Sequence, residues 1–218
     1  MTLGIYGAGG LGREVLDLTR IINVAEEQWE SFIFIDDNKK VQNINGSKVY
    51  TFKEFTTIFS TASTKVTIAV GEPKIRQMLR FKVTENGYSL QMLVHPNAFT
   101  GAETQIGEGT IIQYGCFVSC NVNIGANALL QPNTTVGHDS VIGSDSVIST
   151  YASISGGCAI GDRVYVGLSV PIKENISIGA DSIIGMGSAV MRNIPENVIA
   201  IGIPARPMKN NENGRVFK

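Results

Sequence analysis

The sequence predicts an α/β domain followed by an all-β domain built as a parallel β-helix. Residues 1–90 alternate strand-like and helix-like segments, whereas from Ile106 to Val190 every sixth residue is Ile, Val or Leu. Glycine accounts for 24 of 218 residues, which exceeds the usual ~7% and indicates many tight turns. A period of six does not keep one face of a helix, so the second half is predicted to be β-structure.

Composition excludes several classes of function. Lys and Arg number 18 against 19 Asp and Glu, which leaves a net charge of −1. We therefore expect no nucleic-acid partner, because no excess positive charge would neutralise a phosphate backbone. Apolar runs stop at about eight residues, so we expect no membrane span and no signal peptide. Three cysteines without CxxC spacing and only two histidines predict a cytoplasmic protein without disulfides and without a metal site.

The first domain opens with a strand over residues 3–6, a glycine-rich loop and a helix to about residue 22, with Ile21 on its apolar face. The loop reads Gly7-Ala8-Gly9-Gly10-Leu11-Gly12, a GxGxxG motif. In this arrangement the loop amides and the helix N-terminus can hold a phosphate. The prediction is nucleotide binding by Gly7, Gly9, Gly10, Leu11 and Gly12. The alternative is that these glycines only form a tight turn between strand and helix.

The remaining elements of the first domain predict a parallel sheet. A strand over residues 32–35 ends at Asp36 and Asp37, and a strand over residues 66–70 precedes a helix over about 74–85. Asp36 or Asp37 can accept hydrogen bonds from a ribose or a base edge. Only about 90 residues precede the repeat, so we predict a half-site for one nucleotide in residues 1–90. An NAD-dependent oxidoreductase is therefore disfavoured.

The repeat predicts the second domain, residues 91–205. Two residues before each aliphatic position stands a small or β-branched residue, and one residue after it glycine is frequent. Residues two apart share one face of a strand, so both point inward, and the glycine is predicted to provide the positive φ of the corner. Three such hexads close a triangular coil. Cys116 and Cys158 take the small inward position and are predicted to pack there, and residues 206–218 are predicted to form a mobile polar tail.

These two domains in this order resemble the bacterial sugar acyltransferases related to sialic acid O-acetyltransferase and to the N-acetyltransferase of the bacillosamine pathway. The resemblance covers nearly the whole chain. It rests on the glycine loop, on Phe34-Ile35-Asp36-Asp37, on the hexads, on Val136-Gly137-His138-Asp139 and on Gly202-Ile203-Pro204-Ala205-Arg206. It implies a Rossmann-like domain that binds a nucleotide-sugar, a left-handed β-helix and a homotrimer. It also implies that acetyl-CoA lies in the groove between adjacent prisms and that no metal is needed.

The same resemblance assigns the site residues. His138 would be the general base that removes a proton from an amino or hydroxyl group of a nucleotide-linked or acidic sugar. Asp139 would orient His138, provided that the pair lies in a turn. Acetyl-CoA would contact Gly156, Gly185 and Met186, with Ala205 and Arg206 beside its pantetheine or nucleotide end. From the residues alone, His138 is a solvated corner residue.

Two positions depart from the bacillosamine branch. Val147 stands where that branch has a second histidine, and Leu11 stands where its glycine loop has one. Either a group such as Ser149 substitutes for the missing histidine, or the acceptor differs. Val147 also keeps open a non-catalytic trimer that binds a nucleotide-sugar. A γ-carbonic-anhydrase-like metalloenzyme would need more histidines than one repeat domain offers. The leading prediction is a cytoplasmic acetyltransferase of surface-glycan biosynthesis.

Overall fold

The computed structural model describes residues 1–38 and 40–217. A six-stranded sheet flanked by helices is followed by three sheets that form a triangular prism. The helices are α1 (Gly10–Glu26), α2 (Phe52–Ile58) and α3 (Pro73–Glu85). The strands of the first part are β1 (Thr2–Tyr6), β2 (Ser31–Ile35), β3 (Asn43–Ile44), β4 (Ser47–Tyr50), β5 (Thr64–Ile68) and β6 (Ser89–Leu90).

The first sheet has the order β3-β4-β2-β1-β5-β6 and is parallel except for the β3–β4 hairpin. The predicted α/β class is confirmed, and the carboxyl ends of β1, β2 and β5 meet at one edge of the sheet. The sequence analysis missed the β3–β4 hairpin and α2, although Thr51 and Glu54 form a capping box at the start of that helix. Ile21 was wrongly placed on the apolar face: it is 47% exposed, and Ile22 is buried instead.

Up to the last strand, the strands of the prism pair in parallel with strands one coil away. The last strand pairs antiparallel with the strand before it. The strands of the prism are β7 (Leu93–Val94), β8 (Phe99–Thr100), β9 (Gln105–Ile106), β10 (Ile111–Ile112), β11 (Phe117–Val118), β12 (Asn123–Ile124), β13 (Leu129–Leu130), β14 (Thr135–Val136), β15 (Val141–Ile142), β16 (Val147–Ile148), β17 (Ser153–Ile154), β18 (Ala159–Ile160), β19 (Tyr165–Val166), β20 (Pro171–Ile172), β21 (Ser177–Ile178), β22 (Ile183–Ile184), β23 (Val198–Gly202) and β24 (Ala205–Asn210).

Residues eighteen positions apart face each other, as in the Val118–Val136 and Ile124–Ile142 pairs, so the predicted β-helix is confirmed. For reference, sheet 1 of the prism contains β7, β10, β13, β16, β19, β22, β23 and β24. Sheet 2 contains β8, β11, β14, β17 and β20, and sheet 3 contains β9, β12, β15, β18 and β21. The repeated aliphatic side chains fill the interior together with Cys116 and Cys158, which are buried as predicted.

The sequence analysis gave the wrong physical reason for the glycines at the corners of the prism. The glycine that follows each inward aliphatic does not supply the positive φ. That conformation recurs three residues after the aliphatic, where Asn and Asp are the most frequent residues, such as Asn121 (φ 56°) and Asp145 (φ 61°). The glycines are needed because coils touch: a Cβ at Gly125 would lie 2.6 Å from the backbone nitrogen of Ser144.

Where the sequence analysis predicted a mobile polar tail, residues 206–210 form part of a strand. β24 pairs antiparallel with β23, and the residues after it return to the first sheet. The backbone N–H groups of Val216 and Phe217 donate to the buried carboxylate of Glu72 at 2.8 and 3.1 Å. These bonds hold the end of the chain against the start of α3.

The boundary between residues 90 and 91 remains a proposal, although β6 and β7 on its two sides belong to different sheets. No helix within residues 1–38 and 40–217 combines the length and apolar character needed to cross a membrane.

Candidate functional site

The glycine loop joins β1 to α1, and its glycines have two different surroundings. Gly7 has a φ of 110°, and a Cβ at Gly12 would overlap the carbonyl oxygen of Gly7. These two glycines let the helix approach the strand. Gly9 and Gly10 are exposed, and nothing lies within 4 Å of where a Cβ would stand. Leu11 is half-buried and packs on the core beneath α1.

The N-terminus of α1 offers unpaired donors. Its N-cap residue is Gly9, no side chain caps it, and the first turn contains no acidic residue. Free amides and the positive end of the helix dipole favour an anion there. Gly9 and Gly10 therefore leave both the space and the charge that a phosphate group requires.

Asp36 and Asp37 follow β2 and have different partners. The Asp36 carboxylate accepts hydrogen bonds from the backbone N–H of Ala8 at 3.1 Å and of Asn38 at 2.9 Å. It thus braces the glycine loop, and each of its oxygens has room for a further donor.

Asp37 forms hydrogen bonds within the first domain. Its Oδ2 accepts from the Tyr6 hydroxyl and from Lys82 Nζ, both at 2.7 Å, and its Oδ1 accepts from the Phe52 N–H. Burial raises the pKa of Asp37, but the hydrogen bonds from Lys82, Tyr6 and Phe52 outweigh it, and the net pKa is lowered. Burial and Asp37 together raise the pKa of Tyr6. Asp37 is therefore less available to a ligand than Asp36.

His138 and Asp139 form a hydrogen-bonded pair at the corner after β14. Asp139 has a φ of 57°, so the pair lies in a turn and both side chains reach the same side. His138 Nδ1 and Asp139 Oδ2 are 2.7 Å apart, and Asn121 Nδ2 donates to Asp139 Oδ1 at 3.2 Å. The hydrogen bonds from His138 and Asn121 lower the pKa of Asp139. A carboxylate on Nδ1 selects the tautomer with the Nδ1 proton, which leaves Nε2 as the acceptor.

The imidazole lies directly over Gly156. A Cβ at that residue would be 2.7 Å from both Cε1 and Nε2 of His138. The side chain of His138 is 64% exposed, so Nε2 is open to a molecule that approaches this edge. Gly156 was expected to contact acetyl-CoA. In the structure it also leaves the space that the imidazole of His138 occupies.

The other residues assigned to acetyl-CoA lie elsewhere in the chain. Gly185 and Met186 follow β22 in sheet 1, whereas Gly156 follows β17 in sheet 2. One chain therefore places them at two different edges of the prism. Met186 is 74% exposed. Ala205 is buried and its N–H donates to the carbonyl oxygen of Ala189, while the exposed guanidinium of Arg206 donates to the carbonyl oxygen of Ala205.

Val147 and Ser149 do not replace a second histidine beside His138. Val147 belongs to sheet 1 and is buried in the apolar cluster that joins the prism to α1. Ser149 is fully buried, and its hydroxyl has no hydrogen-bond partner among the described residues. Within one chain, the edge that carries His138 therefore has a single imidazole and no substituting hydroxyl from Ser149.

A buried polar network fixes the first domain on the prism, and the sequence analysis missed it. Arg80 forms two hydrogen bonds with the fully buried carboxylate of Asp145, at 3.0 and 2.7 Å. Asn127 donates to the same carboxylate at 2.7 Å. Arg76 is fully buried and donates to the Asn127 carbonyl at 2.9 and 2.6 Å. Burial lowers the pKa of Arg76 to about 10. We call these four residues the interdomain clamp.

Comparisons with known proteins agree with this architecture. The family model of the PglD N-terminal domain matches residues 2–82, and the bacterial transferase hexapeptide model (six repeats) matches residues 121–156. GDP-perosamine N-acetyltransferase of Escherichia coli O157:H7 is 30% identical over 127 residues, 56% of this chain and 55% of that protein. The chain thus aligns with about half the length of that relative.

The structure of WeeI from Acinetobacter baumannii AYE is 30% identical and has a TM-score of 0.88, covering 95% of this chain and 100% of that one. The chain belongs to the PglD-like family. The resemblance found in the sequence is thereby confirmed. PerB from Caulobacter crescentus, solved with CoA and GDP-perosamine, is 25% identical, with a TM-score of 0.88 over 96% of this PglD-like chain and 98% of its own.

Of these homologues, the Escherichia coli protein is an N-acetyltransferase of GDP-perosamine, and PerB binds CoA and GDP-perosamine. In the PglD-like protein itself, residues 1–38 and 40–217 contain no group of three or more His, Cys, Asp or Glu residues that could hold a metal ion.

Proposed function

We propose that this PglD-like protein transfers the acetyl group of acetyl-CoA to the amino group of a nucleotide-linked sugar. The observation that carries the proposal is the His138–Asp139 pair, with Nε2 exposed over Gly156. The relatives whose names state an acceptor act on or bind GDP-perosamine, an amino sugar. This favours an amine over the hydroxyl or acidic sugar that the sequence analysis also allowed.

His138 acts as the base in this reaction. Its Nε2 accepts a proton from the acceptor amine while the amine nitrogen bonds to the thioester carbon. The resulting tetrahedral oxyanion is stabilised by a backbone N–H group of a coil. The carbon–sulfur bond then breaks, and CoA leaves as a thiolate that takes up a proton. Asp139 holds the imidazole in the required tautomer and balances the charge of the imidazolium.

The nucleotide binds at the first domain. Gly9 and Gly10 receive its diphosphate at the start of α1, and Asp36 accepts a hydrogen bond from the ribose or the base. Gly7 and Gly12 shape the loop without contacting the ligand. The reaction belongs to the cytoplasm, in the synthesis of a surface glycan.

The active assembly is a homotrimer with acetyl-CoA between adjacent prisms. The residues expected to contact acetyl-CoA lie at two different edges of one prism, which supports this assembly. In a trimer, Gly156 of one copy can face Gly185 and Met186 of the next. Exposed apolar side chains also line these outer surfaces, among them the stacked pair Phe99 and Phe117, 55% and 46% exposed. Such surfaces are typical of subunit interfaces.

Release of free CoA thiol tests the reaction. Wild-type protein is incubated with acetyl-CoA and a panel of GDP-, UDP- and dTDP-linked amino sugars, with the matching hydroxyl sugars as controls. We expect release with one amino sugar, and a loss of roughly a hundred- to ten-thousandfold in His138→Ala, with unchanged circular dichroism and oligomeric state. Full turnover in His138→Ala would exclude this base. Nucleotide-sugar binding without CoA release would instead support the non-catalytic trimer.

A further inference from the structure

An asparagine lies one coil before the carboxylate that contacts His138. Asn121 and Asp139 are eighteen residues apart, and their backbones have nearly the same positive φ, 56° and 57°. Successive coils are about 4.8 Å apart, and the N–H of Asp139 donates to the carbonyl oxygen of Cys120 at 3.2 Å. The side chain of Asn121 therefore leaves the corner in the same direction as that of Asp139, one coil beneath it.

The carboxylate of Asp139 is held at both oxygens. Its Oδ1 accepts from the side-chain amide of Asn121 at 3.2 Å, and its Oδ2 lies 2.7 Å from His138 Nδ1. At the same corner of the next coil stands Gly157, which has no side chain that could reach the carboxylate. The last torsion of an aspartate side chain is broad, so a single contact would leave the carboxylate free to rotate. The amide of Asn121 supplies the second contact that restricts it.

The same pair of residue types occurs in the interdomain clamp, where it holds a carboxylate against a cation. Asn127 Nδ2 donates to Asp145 Oδ1 at 2.7 Å, again across eighteen residues. Arg80 binds the same carboxylate through two hydrogen bonds. The corner of His138 repeats this arrangement, with an imidazole in the place of the guanidinium. In both corners, an asparagine one coil before an aspartate fixes the carboxylate for a third group.

We propose that Asn121 is a positioning residue of the acetyl transfer and acts through Asp139 on the tautomer of His138. By holding the carboxylate against Nδ1, it keeps the proton of the neutral ring on that nitrogen, and Nε2 stays free to accept the proton of the amine. This role requires no contact between Asn121 and the acceptor or acetyl-CoA. The inference rests on the proposed function, because it concerns the base of the same reaction.

Steady-state kinetics with acetyl-CoA and the best amino sugar of the panel test this role. Asn121→Asp keeps the size of the side chain and suits the positive φ, but it replaces the donor with an acceptor. We expect kcat to fall about tenfold, while the KM values for the sugar and for acetyl-CoA stay near those of the wild type. Asn121→Gly tolerates the same φ and adds no charge, and it should lower kcat to a similar extent.

The matched control is Asn123→Asp, which adds the same charge at an exposed position of sheet 3. It should keep the wild-type kcat, because its carboxylate does not face Asp139. A wild-type kcat in both Asn121 variants would overturn the proposal.

NMR measures the tautomer of His138 independently of turnover. The chain has two histidines, so the imidazole nitrogen resonances of His138 in isotope-labelled protein are assigned by their loss in His138→Ala. At a pH where the ring is neutral, we expect the proton on Nδ1 in the wild type and a gain of the Nε2-protonated form in both Asn121 variants. An unchanged tautomer in both would overturn the proposal even if kcat falls, because a merely structural loss does not move the proton.

The same measurement separates this proposal from the proposed function. If the wild-type protein transfers no acetyl group, a change of tautomer in Asn121→Asp and Asn121→Gly would still uphold the action of Asn121 on His138. The absence of turnover would then count against the proposed function alone.

Discussion

At the scale of single residues, the geometry around His138 depends on a neighbour that has no side chain. The ring rests over Gly156, and Asp139 holds it there from the other end. Sequence reasoning identified all three residues, but it grouped Gly156 with acetyl-CoA. The contact between Gly156 and His138 spans eighteen residues, one coil of the prism, and only the stacking register brings the two together.

Gly156→Ala tests this contact. The added methyl group would lie 2.7 Å from the imidazole, so the ring must move, and we expect kcat to fall about a hundredfold with little change in the KM for the sugar. Alanine fits the backbone, because the φ of Gly156 lies outside the left-handed region. Gly71→Ala is the control, since its Cβ would meet its nearest neighbour at 3.8 Å. A normal kcat in Gly156→Ala would mean that the position of the ring does not limit turnover.

At the scale of elements, the sequence predicted most of the structure that has a regular sequence pattern. The aliphatic repeat predicted the β-helix, and the alternation of strands and helices predicted the parallel sheet. The β3–β4 hairpin and α2 were missed because short elements carry little periodic signal. The order of the last residues was missed because it depends on Glu72, a residue distant in sequence.

The interdomain clamp was also invisible in the sequence. Asn127 and Asp145 occupy the same repeat position as other Asn and Asp residues whose side chains remain exposed. Their burial follows from where α3 packs on the prism. Composition and spacing do not reveal which corner of a regular repeat is covered by another domain.

Asp145→Ala tests the clamp. It leaves the Arg80 guanidinium and the Asn127 amide without their shared partner, and removing one member of a buried ion pair costs about 3–5 kcal/mol. We expect a lower free energy of unfolding in urea and faster hydrogen exchange in α3. Asp181→Ala, which breaks the partly buried pair with Arg163 at a corner of the same positive φ, serves as the control and should cost less than Asp145→Ala. An equal loss of unfolding free energy in the two variants would mean that the interdomain clamp stabilises the protein no more than the Arg163–Asp181 pair does.

At the scale of the whole molecule, one chain separates the residues that are proposed to form one site. His138 and Gly156 lie at the edge after sheet 2, and Gly185 and Met186 lie at the edge after sheet 1. In the proposed homotrimer, a complete site would combine the first edge of one copy with the second edge of the next, as symmetric assembly allows.

Mixed trimers test this division. In the proposed trimer, we expect His138→Ala and Met186→Ala each to be weakly active at low acetyl-CoA concentration. Their random mixing restores roughly a quarter of the sites to the wild-type arrangement if each site draws on two copies. Assays of co-expressed and separately purified proteins at equal total concentration reveal the gain. No gain on mixing would place both groups of each site in one copy.

The interdomain clamp has a further consequence for substrate selection. Because Arg76 and Arg80 join α3 to two adjacent coils of the prism, we expect the glycine loop to keep a fixed distance from the corner that carries His138. If the nucleotide binds at that loop as proposed, the protein should accept sugars whose amine lies at that distance from the nucleotide. It should then reject acceptors that are one sugar longer, even when their terminal residue has the correct chemistry.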